Sequence, residues 1–248
     1  MNQKPRALII CVDFSDLLAI TLPYNRHHFE EVLVVTTPAD ERSQDVARTW
    51  DADVYRTESF YDPGAIFNKW EPLEEGLDVM GREGWICLVD VDILWPKVLP
   101  TFDLKPNHLH GPRRRVMANA FATIPNDWSN FPLYLPNSRL IAGYSQIFHA
   151  DDSHLTGLPW HETNWVHAAG ADSYFQRQWP RSNRIRLPFD TLHLGKVGVN
   201  WCGRTSPYAD GSFPKRAKQR MSKLLGMVKR IGYPRRGPHE RYRQCQQH

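Results

Sequence analysis

The sequence predicts an α/β fold built on a mixed, mainly parallel sheet that is flanked by helices. Three short apolar runs carry this prediction, at residues 7–12, 32–36 and 85–89. Each run is continuously apolar rather than alternating, which is typical of parallel strands covered on both faces. Polar stretches of helical composition separate the runs, so the first hundred residues indicate a β-α-β-α-β arrangement.

Helices are predicted at four places along the chain. The first covers residues 40–50, with Asp40 or Ser43 as its cap. In residues 64–80 apolar side chains recur at three- and four-residue spacing, but Pro72 and Gly76 interrupt the pattern. A kink or a late start near Pro72 is therefore expected. A third helix is predicted around residues 172–178. A fourth is predicted at residues 215–231, where apolar residues share one face and basic residues occupy the rest.

Length and composition indicate one globular domain with an appendage. The chain has 248 residues, of which 41% are hydrophobic and 23% charged, so a sizeable core is expected. We expect residues 1–214 to form the domain and residues 215–248 a basic helix and tail. Residues 101–192 are less regular and rich in proline. There we expect a mixed sheet with long loops that build the acceptor side of a site.

Neither a membrane span nor a disulfide framework is indicated. The longest apolar runs are too short to cross a bilayer, and the N-terminal run is too short for a secretory leader. A cytoplasmic protein is therefore predicted. The cysteines are scattered, without a pair at the spacing of a zinc or redox motif, and three of the four stand in apolar or aromatic surroundings, which indicates packed thiols. They are Cys11, Cys87, Cys202 and Cys245.

The net charge of +4 hides a strong asymmetry. Residues 215–243 hold eleven Lys or Arg and one acid, Glu240, which gives this segment a charge of +10. The rest of the chain therefore carries −6. Any binding of a polyanion is expected at the C-terminal segment rather than at the main domain.

Two carboxylates directly follow the third apolar run. Asp90 and Asp92 are separated by one valine at the end of the predicted strand, so both can converge on one cation. Mg²⁺ and Mn²⁺ prefer oxygen ligands and take one or two carboxylates, with substrate phosphates at other positions. Taken alone, the same pattern also suits two acids that solvate a strand end.

The order of several motifs resembles the GT-A class of glycosyltransferases. The class has a first strand, a T-x-x-D turn after the second strand, an N-K helix start and a W-I-L-x-x-D-x-D strand, in this order. The corresponding residues here are 7–13, Thr37 to Asp40, Asn68 with Lys69, and 85–92. The resemblance implies a Rossmann-like GT-A fold and a donor that is a nucleotide sugar, with a UDP-sugar favoured.

By this resemblance several residues bind the donor. Asp13, Thr37 and Asp40 would line the nucleoside site, and Lys69 would neighbour the ribose or the diphosphate. Asp90 would bridge the ribose and the metal. Considered one at a time, Lys69 also suits a solvated helix lysine, and Asp40 a helix cap.

A second group of residues lies near the end of the predicted domain. His193 stands between two leucines, and Arg204 follows shortly after. GT-A enzymes often take a third metal ligand from a C-terminal histidine, so the resemblance implies that Asp90, Asp92 and His193 hold Mn²⁺ or Mg²⁺. Arg204 would bind the diphosphate. A core histidine and a surface arginine remain the alternatives.

Asp172 is the predicted catalytic base. It follows Gly170-Ala171 at a helix start, which resembles the acidic motif of the class. In an inverting reaction it would accept the proton of the acceptor hydroxyl. The alternative is a helix cap. Weaker candidates for the base are His161, Glu162, Asp151 and Asp152.

The basic C-terminal segment suggests a phosphate-rich acceptor. Small glycosyltransferases of DNA viruses, bacteriophages included, modify hydroxymethylated pyrimidines, and the chain is similar to them in compactness. A 5-hydroxymethylpyrimidine base in DNA is therefore the leading acceptor, extruded from the duplex for the reaction. Further basic residues could extend the surface for DNA, namely residues 113–115 and Arg181, Arg184 and Arg186. Alternatively, the basic helix lies on an anionic membrane and serves a glycan or lipid-linked acceptor, or it only docks on the domain.

Two other classes of protein compete with a glycosyltransferase. An Asp-x-Asp motif after an apolar strand also resembles phosphatases of the haloacid dehalogenase type. Their motif usually lies near the chain start and continues with Gly-Thr, whereas Ile93 and Leu94 follow here. A nucleic-acid-binding module without catalysis would explain the basic segment but not the ordered acids.

Overall fold

The structure is a computed structural model that describes residues 3–62, 65–134, 140–197 and 200–204. The strands are β1 (Arg6–Ile10), β2 (Val32–Thr36), β3 (Asp53–Arg56), β4 (Trp85–Asp90), β5 (Ile93–Leu94), β6 (Leu109–Met117), β7 (Ser145–His149) and β8 (Arg184–Leu194). The helices are α1 (Ser15–Asn25), α2 (Glu41–Thr49), α3 (Trp70–Met80) and α4 (Ala171–Phe175). Five short 3-10 turns complete the regular structure of the described residues.

The eight strands form one mixed sheet in the order β3-β2-β1-β4-β7-β6-β8-β5. The first four strands of this order, β3, β2, β1 and β4, are parallel to one another. β7 then runs antiparallel to both β4 and β6, and β5 is antiparallel to β8. β6 and β8 are parallel, with a register shift near Pro112. The mixed, mainly parallel sheet that the sequence predicts is confirmed.

Both faces of the central strands are buried, which explains their continuously apolar sequences. In β1, Ala7 and Ile9 pack into one apolar core, whereas Leu8 packs into the core on the other face. β4 divides its residues in the same way. The first core also contains α1, and the second contains α3 and α4.

The helices begin where the sequence provides a cap or a favourable first turn. The Asp40 carboxylate accepts a hydrogen bond from the backbone N–H of Ser43 at the start of α2. α3 begins at Trp70, whose N–H is bound by the side chain of Asn68. Pro72 therefore lies in the first turn, where the missing N–H of proline removes no helical bond. The expected late start of this helix is confirmed.

Other expectations have mixed outcomes. The helix expected around residues 172–178 begins at Ala171 and ends in a 3-10 turn. Cys11, Cys87 and Cys202 are buried, and burial raises the pKa of the Cys11 thiol to about 12, so packed thiols are confirmed for these three. The helix predicted at residues 215–231, the domain boundary at residue 214 and Cys245 lie outside the described residues. None of the helices in the described part of the chain is long and apolar enough to cross a membrane.

Candidate active site

The candidate donor site lies at the edge of the sheet where β1, β2 and β4 end. Parallel strands bring their carboxyl ends to one edge, and here the register pairs Ile10 with both Val35 and Asp90. The segments that follow these strands therefore lie next to one another. Asp13, Thr37 and Asp92, which sequence analysis assigned to donor and metal binding, belong to these segments.

Asp40 joins the ends of β1 and β2. Its carboxylate accepts hydrogen bonds from the Asp13 backbone N–H at 2.7 Å and from the Thr36 hydroxyl at 3.0 Å, in addition to its bond to Ser43. Asp13 has a φ of 61°, in the left-handed region that costs energy for a non-glycine residue. Asp40 is buried, so it holds the turn at Asp13 in place.

Thr37 lies in the tight turn before α2. Its carbonyl accepts hydrogen bonds from the Asp40 N–H at 3.2 Å and from the Gln44 side chain at 3.1 Å. The threonine is buried. These contacts fix the turn that follows β2 beside the turn that follows β1.

Lys69 and Asp90 form an ion pair at the same edge. The Lys69 Nζ lies 2.7 Å from the Asp90 Oδ1 and 4.7 Å from the centre of the Trp70 ring. Because Lys69 immediately precedes α3, the cap made by Asn68 also fixes the place of the lysine. The pair leaves the Asp90 side chain 35% exposed, so the carboxylate remains accessible to a ligand.

Asp92 and His193 form a buried pair with an unusual hydrogen-bond pattern. β5 pairs with β8 and aligns Ile93 with His193, which brings the imidazole Nε2 to 3.4 Å from the Asp92 Oδ2. The His193 Nδ1 lies 3.0 Å from the Gly195 carbonyl. A carbonyl only accepts, so Nδ1 carries the proton, and in a neutral imidazole Nε2 then presents a lone pair to the carboxylate.

This arrangement fits a divalent cation. When the imidazole is neutral, Nε2 and the carboxylate are two acceptors that repel each other, and a cation bound to both removes the repulsion. Adjacent ligands at about 2.1 Å from one octahedral ion lie about 3 Å apart, close to the separation of Nε2 and Oδ2. The Asp92 Oδ2 also accepts a hydrogen bond from the Asn200 side chain at 3.1 Å, whereas Oδ1 is buried and has no partner among the described residues.

The full predicted set of three metal ligands is not assembled. In residues 3–62, 65–134, 140–197 and 200–204, no three His, Cys, Asp or Glu side chains form a cluster that could hold a metal ion. Asp92 and His193 meet, but Asp90 is bound to Lys69. Two protein ligands still suit Mg²⁺ or Mn²⁺, because substrate phosphates and water commonly complete their coordination.

Asp172 is held close to the end of β4. Its Oδ2 accepts a hydrogen bond from the Gly143 N–H at 2.9 Å, and its Oδ1 accepts one from the Ser173 N–H at 2.8 Å. The residue after Gly143 is Tyr144, and its carbonyl accepts a hydrogen bond from the Asp90 N–H at the end of β4. A Cβ on Gly143 would lie 2.7 Å from the Asp172 Cβ, so only glycine permits this approach.

Arg204 lies at one side of the candidate donor site. It donates to the Asp16 carboxylate at 2.6 Å and to the Asp13 carbonyl at 3.1 Å, and it stacks over the Phe14 ring. The preceding residue, Gly203, packs against Phe67. Arg204 therefore lies beside the turn at Asp13, with its guanidinium bound to protein groups.

The weaker candidates for the base have structural contacts. His161 is buried and stacks on Phe175 with ring centres 3.9 Å apart, and its Nδ1 lies 2.6 Å from the Glu74 carboxylate. Burial lowers the pKa of His161. Asp152 accepts a hydrogen bond from the Trp179 indole at 2.6 Å. Neither His161 nor Asp152 is placed to meet an acceptor.

Four of the basic residues that were expected to extend a surface for DNA have partners within the fold. Arg113 and Arg115 bind the same carboxylate, that of Asp190. Arg184 and Arg186 donate to backbone carbonyls. The guanidinium groups of these four residues thus bind groups within the fold, and their part in a surface for DNA stays a prediction.

Sequence analysis missed two residues that contact the site. Asn200 lies far along the chain from Asp92, and Tyr144 follows a glycine in a segment without regular periodicity. No local pattern marks either residue, because each acts through a contact between distant parts of the chain.

Comparisons with known proteins show the fold. No family model and no curated protein matches the chain. The structure of mannosyl-3-phosphoglycerate synthase from Rubrobacter xylanophilus matches with a TM-score of 0.50 and 12% identity, over 94% of this chain and 77% of that one. A mycobacterial protein matches with a TM-score of 0.49 and 12% identity, over 94% and 76%.

Glucosyl-3-phosphoglycerate synthase from Mycobacterium tuberculosis, in complex with Mn²⁺, UDP-glucose and phosphoglyceric acid, matches with a TM-score of 0.45 and 11% identity. That match covers 95% of this chain and 82% of that chain. The Rubrobacter synthase is only 12% identical to this chain in sequence, so the match shows a shared fold. That shared fold confirms the predicted GT-A-like, Rossmann-like architecture.

Proposed function

We propose that the protein is a metal-dependent glycosyltransferase that transfers a sugar, a hexose, from a nucleoside diphosphate to a hydroxyl acceptor. The observation that carries the proposal is the buried pair of Asp92 and His193. In this pair the imidazole Nε2 lies 3.4 Å from the Asp92 Oδ2, at the edge where the proposed donor-binding segments meet. The fold that the chain shares with a mannosyl-3-phosphoglycerate synthase favours the same class of reaction.

Asp92 and His193 would hold Mn²⁺ or Mg²⁺. When bound, the ion supplies positive charge that stabilises the departing diphosphate. Asn200 orients the Asp92 carboxylate by its hydrogen bond, and Gly195 fixes the tautomer of His193. Such outer partners align metal ligands in many sites.

The residues around the ion would bind the donor. We assign the nucleoside, a uridine, to the turns at Asp13 and Thr37, which Asp40 fixes in place. Lys69 and Asp90 lie at the middle of the same edge and would contact the ribose and the diphosphate. Arg204 would exchange its contact with the Asp16 carboxylate for a diphosphate oxygen.

Asp172 would act on the acceptor. In an inverting reaction the acceptor oxygen forms a bond to the anomeric carbon while the bond from that carbon to the diphosphate breaks. Asp172 takes the proton of the acceptor hydroxyl. The N–H groups of Gly143 and Ser173 hold its carboxylate in position.

For the acceptor we propose a 5-hydroxymethylpyrimidine base in DNA, on the strength of the +10 charge of residues 215–243. Basic segments of this kind bind phosphate backbones without sequence preference. A glycan or a lipid-linked acceptor at an anionic membrane would use the same charge. A transfer assay with DNA as acceptor distinguishes these acceptors from DNA.

The test is a transfer assay with Mn²⁺, a panel of nucleotide sugars, and hydroxymethylated or plain DNA as acceptor. Mass spectrometry of the digested nucleosides detects a gain of one hexose, expected on the hydroxymethylated base alone. Donor hydrolysis without transfer to DNA would direct the search to glycans and lipids. Absence of any donor turnover would contradict the glycosyltransferase and favour a phosphatase, which trapping of an aspartyl phosphate would detect.

The Asp92→Ala variant tests the metal assignment. We expect its transfer rate to fall by about a thousandfold or more, because the ligand for the ion is lost. The Asp45→Ala variant is the control, since Asp45 is exposed on α2 away from the pair. An Asp92→Ala enzyme with wild-type activity would sink the assignment.

A further inference from the structure

Arg114 differs from the arginines beside it in β6. The side chains of Arg113 and Arg115 lie on one face of the sheet and share the Asp190 carboxylate. Arg114 points to the other face and is only 8% exposed. Its guanidinium carbon lies 4.4 Å from the centre of the Tyr134 ring and 4.5 Å from that of Tyr144. The arginine is therefore sandwiched between two aromatic rings.

The guanidinium of Arg114 has no counter-ion among the described residues. No carboxylate forms an ion pair with it there, and its Nε is sealed from solvent without a hydrogen-bond partner. Stacking on two rings stabilises the cation through its faces, but the N–H groups point outward along its edge. A buried charge is costly unless it is paired, so an anion that binds this edge would be strongly stabilised.

The position of Arg114 relates it to the site. β6 and β8 pair Arg114 with Thr191 and Val116 with His193. Arg114 and His193 therefore project from the same face of the sheet, two residues apart along the strands, which is about 7 Å. Tyr144 also connects Arg114 to the candidate donor site. Its ring stacks on the Arg114 guanidinium, and its carbonyl accepts a hydrogen bond from the Asp90 N–H.

Tyr144 also places Arg114 on the acceptor side. Gly143, the residue before it, binds the Asp172 carboxylate. The Tyr144 hydroxyl donates to the Pro112 carbonyl at 2.7 Å, which fixes the ring over the guanidinium. The arginine thus shares a sheet face with His193 and is linked through Tyr144 to the segment that binds Asp172, the proposed base.

We propose that Arg114 is the anion-binding residue of the acceptor subsite and that it binds a phosphate group of the acceptor. This proposal rests on the glycosyl transfer proposed above. The flat guanidinium offers two parallel N–H groups to two phosphate oxygens, the geometry in which arginine binds phosphate most strongly. The phosphate belongs either to the backbone of a DNA acceptor or to a phosphate monoester of a small hydroxylated acceptor.

The first experiment uses inorganic phosphate as the probe. Phosphate is titrated by calorimetry into the full chain, with UDP and Mn²⁺ present in saturating amounts so that the donor site is filled. We expect Arg114→Gln to weaken phosphate binding by about tenfold or more. The Arg113→Gln control, on the opposite face and paired with Asp190, should change it by less than about twofold. Equal affinity in Arg114→Gln and wild type would overturn the proposal.

A failure of the donor proposal would be visible separately. Should UDP not bind, the same titration without UDP still reports on Arg114, because the probe is phosphate alone. UDP binding itself should be the same in Arg114→Gln and wild type.

A second measurement needs no variant. Phenylglyoxal modifies arginine, and peptide mass spectrometry locates the modified residue. We expect phosphate to slow modification of Arg114 in the wild-type protein by about threefold or more and to leave Arg113 unchanged. Modification of Arg114 at the same rate with and without phosphate would overturn the proposal even where Arg114→Gln fails to fold.

Two further titrations identify the source of the phosphate. A loss of affinity for a short hydroxymethylated oligonucleotide in Arg114→Gln would assign the backbone phosphodiester. A loss of affinity for glycerol phosphate alone would assign the monoester of a small acceptor. Unchanged affinity for both probes would contradict the acceptor subsite.

Discussion

At the scale of single residues, Asp40 illustrates how a residue predicted to bind a ligand can act through its neighbours. Its two carboxylate oxygens receive hydrogen bonds from the Asp13 N–H, the Thr36 hydroxyl and the Ser43 N–H. The residue caps a helix and joins two strand ends at once. Its contribution to donor binding would then come from the position that it gives to Asp13.

Removing this carboxylate should destabilise the whole protein. In Asp40→Ala two buried donors and one part-buried donor lose their acceptor, and we expect the free energy of unfolding to fall by about 2–4 kcal/mol. Urea denaturation followed by tryptophan fluorescence measures the change. Glu41→Ala, an exposed change in the same helical turn, should alter stability by less than about 0.5 kcal/mol. Equal stability of the two variants would show that the hydrogen bonds of Asp40 do not hold the ends of β1 and β2 together.

At the scale of secondary structure elements, the place of α3 depends on Gly76. A Cβ at this position would lie 2.7 Å from the Val35 Cγ2 and 2.9 Å from the Leu8 Cδ1. The glycine therefore allows α3 to lie close against β1 and β2. Because Lys69 precedes the first turn of α3, the depth of this packing also sets how close Lys69 comes to Asp90.

Gly76→Ala should expose this constraint. Alanine favours a helix by about 1 kcal/mol over glycine, but the added methyl overlaps core side chains, and overpacking costs about 1–3 kcal/mol. We expect a net loss of stability of about 1 kcal/mol, together with weaker binding of UDP as Lys69 moves. Denaturation and UDP titration of the same variant measure both effects. A Gly76→Ala protein that is more stable than wild type would show that α3 can move away without cost.

The elements that the sequence predicts correctly are those whose pattern is local. β2 and β4 are continuous apolar runs, and α2 carries its cap and its polar face within ten residues. β6 and β8 belong to the mixed sheet expected in this region, but no local pattern sets their bounds, because Pro112 and Pro188 interrupt them and their two faces meet unlike surroundings. Residues 101–117 therefore appeared irregular, although they contain a nine-residue strand.

The residues of the candidate site fall into the same two groups, those that a local sequence pattern marks and those that meet only in the folded chain. Asp90 with Asp92, and Asn68 with Lys69, are adjacent in sequence and follow predicted elements, so a motif could identify them. The contact of Asn200 with Asp92 and the sandwich around Arg114 join residues that are far apart in the chain. Their meeting depends on the order of strands β4 to β8, which includes antiparallel neighbours that no local periodicity specifies.

At the scale of the whole molecule, buried histidines lie in separate parts of the fold, with His28 in the 3-10 turn after α1 and His110 in β6. His28 packs near Trp95, and His110 packs edge-on against Trp85. Burial lowers the pKa of His28 to about 4 and that of His110 to about 4. Burial also lowers the pKa of His161. These residues are neutral in the folded protein at pH values where they are protonated in the unfolded chain.

The sign of the pH dependence follows from this difference. Below the ordinary histidine pKa of about 6.5 the unfolded chain binds more protons than the folded protein, so stability falls as the pH falls. The loss should begin near pH 6.5 and continue down to the folded pKa of about 4. At pH 5 we expect His28 and His110 to cost about 1–2 kcal/mol each, and His161 acts in the same direction.

Urea denaturation at pH 7, 6 and 5 measures this dependence, and His110→Gln isolates one residue. His110→Gln removes one titrating group, so between pH 6 and 5 its stability should fall less steeply than that of wild type, by about 1 kcal/mol per pH unit. The exposed Val98 supplies the control, since Val98→Ala removes no titrating group and should retain the wild-type slope. A wild-type stability that is level from pH 7 to pH 5 would mean that the buried histidines accept protons without unfolding. The two cores would then have to admit water around them while the sheet remains intact.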